Sequence, residues 1–284
     1  MGKRVFTLIF GFGVLIPILI FSETWIFQGF LCLITTAALY EMYACIRQQK
    51  EYLCIIPGYL FGILTPILYR IFAEKNDNEL RFYKIFVCCV LLYAFFLLGI
   101  SVLTERKYTL ESAAALFIVT IYIVFGMNSM AFVQSMEGGK YVLILTFIVS
   151  FSTDIFAFLV GKLFGKRKLF PKISPKKTVE GAIGGIVFCV LFCVIYGVIL
   201  SAWIHIKPNY FILIPFAVIC SVISQVGDLI FSCIKRRYGI KDFGKILPGH
   251  GGICDRFDSV LAVAPFLFTL CTFLSFLPAP FLVQ

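Results

Sequence analysis

Charge is scarce in this sequence. Asp, Glu, Lys and Arg make up 14% of its 284 residues, His occurs twice, and no stretch is long and polar enough to fold as a separate soluble domain. The eleven Cys are an odd number, and most lie inside apolar runs (Cys32, Cys88, Cys89, Cys189, Cys193, Cys220), where the thiol behaves as a small hydrophobe. No disulfide framework is indicated, and Cys45 and Cys54 lack metal-ligand spacing. Internal repeats are also missing. The first apolar run, 5–21, follows Lys3 and Arg4 as a signal peptide would, but has no small-residue cleavage site and leads at once into a second apolar run. It therefore reads as a retained helix.

What is abundant is oil: 61% hydrophobic residues, 33 Phe and repeated apolar runs. A bilayer-spanning helix needs about 20 apolar residues, and the runs bounded by charge predict helices at 5–21, 25–46, 52–72, 83–103, 110–133, 141–164, 179–204, 210–234 and 259–277. The expected fold is an all-α polytopic membrane protein of about nine transmembrane helices. It forms one membrane domain over 1–284, with less informative N-terminal helices in 1–140 and functional helices and loops in 141–284.

With the N-terminus inside, alternate loops collect Lys3, Arg4, Arg47, Lys50, Arg106, Lys107, the seven cations of 162–177 and the six of 235–256. Only Arg70, Lys75, Arg81, Lys84, Lys140 and Lys207 fall on the other side. The positive-inside rule thus predicts a cytoplasmic N-terminus, a C-terminus on the opposite side, and two long basic loops in the cytoplasm. For the short loops, setting topology and attracting anionic lipid are reason enough for the charge.

Two carboxylates lie inside apolar runs. Asp154 is eight residues from Lys162, and Asp228 is seven from Lys235, which places both about 12 Å inside the same membrane face at 1.5 Å per residue. An ionisable group there costs about 2.5–3.5 kcal/mol on insertion scales and must face protein, water or a cation. Ser221, Ser224, Gln225, Asp228, Ser232 and Lys235 recur at steps of three and four, forming one polar stripe. Ala157, Gly161 and Gly165 on the Asp154 helix, with Gly181, Gly184 and Gly185 on the next, give small faces that allow close backbone approach. The stripe is either interhelical hydrogen-bonding glue or the wall of a polar cavity open to the cytoplasm. The adjoining loops favour the cavity.

The first loop, GKRKLFPKISPKKTVEG, brings Lys166, Arg167, Lys168, Lys172, Lys176 and Lys177 together with the Ser174 and Thr178 hydroxyls. Pro171 and Pro175 keep it extended or turned, and Thr178 with Glu180 marks a helix start, a position suited to anions. Its composition suits phosphate. No nucleic-acid partner is expected, because the basic residues are few and lack interleaved stacking aromatics. The second loop, GKILPGHGGICDRFDS, joins glycines that permit close approach to a ligand with Asp255 and Asp258. Carboxylates beside cations point to a hard divalent ion, since Mg²⁺ takes one or two carboxylates plus substrate phosphates.

The stretch Ser232 to Asp258, SCIKRRYGIKDFGKILPGHGGICDRFD, resembles the pattern of phosphatidate cytidylyltransferases, also called CDP-diacylglycerol synthases. Every fixed position is present: Ser232, Lys235, Arg236, Lys241, Asp242, Pro248, His250, Gly251, Gly252, Asp255, Arg256 and Asp258. ISPKKTVEG (173–181) and GDL (227–229) are similar to the family too, so motif-level resemblance covers about 154–259. The first five helices match in hydropathy alone. One departure concerns Asp154, which is followed by Ile155 and Phe156 where a small or polar pair is expected.

The resemblance implies the reaction of CTP with phosphatidate to give CDP-diacylglycerol and pyrophosphate. It implies Mg²⁺, with room for a second cation, on Asp228 and Asp255, supported by Asp258 and, less securely, Asp154. Lys235, Arg236, Lys241 and Arg256 would act on the reacting phosphates. Ser174, Lys176, Lys177, Thr178, Gly251 and Gly252 would bind substrate, and His250 would either contact pyrophosphate or order the loop. Membrane lipids are expected partners, and a homodimer is left open. The expected location is a bacterial inner membrane with the site facing the cytoplasm. A cation-coupled transporter is the rival of another class, although it would favour midplane sites and inverted repeats. A CTP-dependent transferase acting on a different lipid phosphate is the rival within enzymes.

Overall fold

A computed structural model of the protein describes residues 13, 15–73, 79–104, 108–136, 138–244 and 251–273. Residues 15–20 are helical. Eight further helices follow: α1 (Trp25–Cys45), α2 (Tyr52–Ala73), α3 (Glu79–Leu103), α4 (Leu110–Ser135), α5 (Gly139–Phe164), α6 (Val179–Trp203), α7 (Tyr210–Arg237) and α8 (Cys254–Phe273). Between α5 and α6 lies an antiparallel hairpin, β1 (Lys168–Phe170) and β2 (Ser174–Thr178). Among the described residues, α1 to α7 are each long and apolar enough to cross a membrane, as an all-α polytopic membrane protein requires. Most of the predicted span 5–21 and the end of 259–277 lie outside the described residues.

Helix ends differ from the hydropathy reading by up to five residues, and at two of them charge accounts for the difference. Helix α7 continues through Arg237, so Lys235, Arg236 and Arg237 belong to its last turn, where cations complement the exposed carbonyl end. Helix α8 begins at Cys254, five residues before the apolar run, with Asp255 in its first turn. There a carboxylate complements the free amide end. Hydropathy sees the bilayer and not the helix, so charged turns outside the apolar run escape it.

The chain divides into two compact units. One unit is Met1–Ser135 with Tyr238–Arg256, and the other is Met136–Arg237 with Phe257–Gln284. In the first unit α1 and α4 are joined by a buried hydrogen bond between the Tyr43 and Thr120 hydroxyls, 2.8 Å apart. The Tyr93 hydroxyl donates to the Cys54 carbonyl at 3.2 Å. Tyr69, Phe82 and Phe132 pack edge to face at centroid distances of 4.5–5.9 Å, a geometry favoured by the ring quadrupoles.

The second unit is held by small residues. A methyl group on Gly181 would lie 2.9 Å from the Gly161 Cα, and one on Gly185 would lie 3.0 Å from the Thr153 carbonyl oxygen. Helices α5 and α6 thus meet backbone to backbone on the predicted small faces, the packing available where lipid tails supply no hydrophobic drive. Apolar side chains such as Val187 and Phe211 face outward. None of the eleven cysteines forms a disulfide.

Candidate active site

The basic hairpin is built by its own sequence. Pro171 and Pro175 oppose helix, and β1 pairs with β2 through Lys168–Thr178 and Phe170–Ser174. Thr178 then caps α6, its Oγ1 accepting from the Gly181 amide at 3.1 Å. The Glu180 carboxylate accepts from the amides of Lys166 and Arg167 at 3.0–3.2 Å, which fastens the start of the hairpin to the same helix end. Buried Thr178 therefore serves as a cap. Ser174 is half-buried and Lys176 exposed.

Lys177 points the other way, onto the polar stripe of α7. Its Nζ lies 2.7 Å from Asp228 Oδ2 and donates to the Gln225 carbonyl at 3.4 Å. Three other stripe members are occupied as well. Ser221 accepts from the Thr153 hydroxyl at 2.9 Å, Gln225 donates to the Ala182 carbonyl at 3.2 Å, and Ser232 donates to Asp228 Oδ1 at 3.3 Å. Arg236 reaches back to the Ile173 carbonyl at 3.3 Å. The stripe is thus glue at its inner end and an acid–base surface toward Lys235.

Asp154 and Asp258 complete this cluster. Ser259 donates through its hydroxyl to Asp154 Oδ2 at 2.8 Å and through its amide to Asp258 Oδ1 at 2.8 Å. Asp258 is buried, with Asp228, Asp154 and Lys235 close enough to act on it electrostatically. Gly227 makes this convergence possible. A methyl group there would lie 2.6 Å from Ala262 Cβ and 2.9 Å from the Asp258 carbonyl oxygen, so α7 and α8 touch at the residue beside Asp228. The departure after Asp154 also has an explanation: Ile155 is exposed and Phe156 stacks on Phe188 at 4.2 Å, so both lie on other faces of α5.

The glycine-rich loop belongs to the first unit. Asp255 Oδ2 accepts from the amides of Phe243 and Gly252 at 2.8 and 3.0 Å, while Gly251 takes a φ of +84°, which favours glycine. Lys241 and Arg256 are exposed, and His250 and Pro248 lie outside the described residues.

Sequence reading missed Glu41. This α1 carboxylate is 1% exposed and accepts from the amides of Ile253 and Cys254 at 3.0 and 2.9 Å. The criterion that singled out Asp154, an acid inside an apolar run, does not separate it from a surface acid, because it lies four residues from the end of α1.

Among the described residues, no three His, Cys, Asp or Glu side chains form a ready-made metal cage. Mg²⁺ does not need one, because it binds through one or two carboxylates, water and substrate phosphates. Asp228 and Asp258 supply such oxygens, and the ammonium of Lys177 already holds a cationic position on Asp228. The donor set fits a hard divalent ion.

The model of the cytidylyltransferase family matches residues 2–274. A phosphatidate cytidylyltransferase of Staphylococcus haemolyticus is 33% identical over 94% of this chain and 97% of its own length. One from Bacillus subtilis is 36% identical over 84% and 86%, and one from Staphylococcus aureus is 39% identical over 61% and 65%.

Proposed function

The chain belongs to the cytidylyltransferase family, and from that premise we infer that it is a phosphatidate cytidylyltransferase, an integral membrane nucleotidyltransferase of phospholipid biosynthesis. It converts CTP and phosphatidate to CDP-diacylglycerol and pyrophosphate. The observation that carries this reading at the level of the site is the Lys177–Asp228 pair, 2.7 Å long, beside Asp258 and Asp154. A lysine on a phosphate-suited hairpin meets carboxylates suited to a hard cation.

The phosphatidate phosphate is already an oxyanion, so no strong base is needed to make a nucleophile. One of its oxygens bonds to the α-phosphorus of CTP as the bond from that phosphorus to the bridging oxygen breaks, and pyrophosphate departs with the electron pair. The difficulty lies in bringing two polyanions together in line, a task for fixed cations and positioning. Lys176, Lys177, Lys235, Arg236, Lys241 and Arg256 neutralise the phosphates. Ser174 donates a hydroxyl, and Thr178 holds the helix end beside Lys177. Asp228 and Asp258, with Asp154 behind them, would hold Mg²⁺, and the D-R-x-D resemblance adds Asp255 to the set. When bound, the ion offsets charge on the phosphate oxygens.

The carboxylates lie shallow in the membrane because the lipid phosphate waits at the interface while CTP arrives from water. The positive-inside pattern supports nine spans with a cytoplasmic N-terminus, a cytoplasmic site and, by analogy with bacterial relatives, the inner membrane.

The test is transfer of label from radiolabelled CTP to chloroform-soluble lipid by purified protein, with phosphatidate and Mg²⁺, beside Asp255→Asn and Asp228→Asn. Incorporation that requires both phosphatidate and Mg²⁺ and collapses in the variants is expected. Full Mg²⁺-dependent turnover by Asp228→Asn would overturn the metal assignment. Incorporation only with another lipid phosphate would overturn the substrate.

A further inference from the structure

Glu41 is placed where the reaction does not use it, buried 212 residues in sequence from the backbone it contacts. Its Oε1 accepts from the Ile253 amide at 3.0 Å and its Oε2 from the Cys254 amide at 2.9 Å. These donors are at the free amide end of α8, so one carboxylate satisfies two backbone groups that the helix cannot pair internally. The contact is close on every side. A methyl group on Gly252 or Gly244 would collide with the Glu41 carboxylate, and one turn earlier on α1 the Ala38 carbonyl accepts from the Cys254 thiol at 3.3 Å. Cys254 itself is fully buried.

Two carboxylates therefore clamp the loop, Asp255 from within and Glu41 from α1. Gly252, which sequence alone suggests makes room for a ligand, makes room for Glu41. The Ile253 and Cys254 amides, which would otherwise suit an anion, are already taken by a protein carboxylate. Substrate phosphates then depend on side-chain cations instead of this helix end.

We propose that Glu41 is a positioning residue for the transferase: by holding the Ile253 and Cys254 amides, it sets the start of α8 and hence the placement of Asp255 and Arg256. The proposal rests on the cytidylyltransferase reading. A carboxylate is required, since it accepts at both oxygens. The amide of Gln would accept at one and present N–H to N–H at the other.

The test compares full-length wild type with Glu41→Gln and Gly252→Ala in detergent by label transfer from CTP and by N-ethylmaleimide reaction at individual cysteines, read by peptide mass spectrometry. In Glu41→Gln, kcat is expected to fall at least about tenfold, because small misplacements of reacting groups carry costs of that size. KM for phosphatidate is expected to change by less than about threefold, since Glu41 touches no substrate. Labelling of Cys254 should speed up while Cys45 and Cys54, buried in the same unit, stay protected. Gly252→Ala should give the same signature, and the double variant should be little worse than either single one, as residues acting through one contact are non-additive. Unchanged kcat with Cys254 still protected overturns the proposal. So does equal loss of protection at all three cysteines, which would mean that Glu41 only stabilises the unit. Failure of the functional reading looks different: the wild type would transfer no label to lipid, while the cysteine comparison would still decide whether Glu41 holds the loop.

Discussion

Lys177 Nζ lies 2.7 Å from Asp228 Oδ2, and both side chains are about a quarter exposed. The lysine comes from a polar hairpin and the carboxylate from a membrane-spanning helix, fifty-one positions on. Partial burial leaves the pair less screened by salt than a surface ion pair, and partial exposure leaves it open to substrate.

Removing that ammonium should therefore harm turnover more than folding. Lys177→Met is expected to lower kcat/KM for CTP at least about tenfold, the loss of one charge-assisted phosphate contact being about 1.5–3 kcal/mol. Lys177→Arg should recover part of it. Initial rates across a CTP series would check this, and an unaltered rate would remove Lys177 from the site.

Asp258→Asn neutralises a carboxyl group that is buried at the start of α8. The variant should stay folded, because a buried neutral amide of the same shape avoids the cost of burying a charge, yet need more Mg²⁺ for half-maximal activity. A Mg²⁺ titration at saturating substrates measures this. The same half-maximal concentration as wild type would leave Asp258 without a metal role.

Gly227→Val places a branched side chain where a single methyl group already meets Ala262 Cβ at 2.6 Å. Overpacking costs about 1–3 kcal/mol, and relief requires α7 and α8 to separate beside Asp228. A lower melting temperature together with a large loss of activity is expected. A fully active, stable variant would show that Asp228 and Asp258 need not be close.

Thr178→Ala deletes the α6 cap, worth about 1 kcal/mol, and Thr178→Ser should restore most of it. Thermal unfolding in detergent followed by helical circular dichroism would compare the three proteins. An alanine variant as stable as wild type would contradict the capping role.

Much of this arrangement is legible in the chain because membranes make polarity conspicuous. Asp154 and Asp228 stand out since each interrupts an apolar run, and the three- and four-residue steps from Ser221 to Lys235 define a face without coordinates. Proline placement predicts that the first basic loop is extended or turned rather than helical. Glu41 escaped for a physical reason: it sits four residues from the end of its helix, where an acid can reach interfacial water, so sequence does not separate it from a surface acid. Nothing local points to Ile253 and Cys254 as its partners. Gly252 was ambiguous in the same way, because a missing side chain says that something approaches but not what.

Composition and order by themselves determined that the chain spans a membrane as helices, since about 20 apolar residues have no other stable way to satisfy their backbone there. They also set which chemistry the loops can offer, because cationic side chains and carboxylate oxygens are properties of residue type. Only the tertiary structure decided which groups meet. It put Lys177 on Asp228, Ser259 between Asp154 and Asp258, and Glu41 under the start of α8. Those pairings depend on helix contacts set by glycines and caps far apart in sequence, and one-dimensional periodicity carries no information about which face meets which.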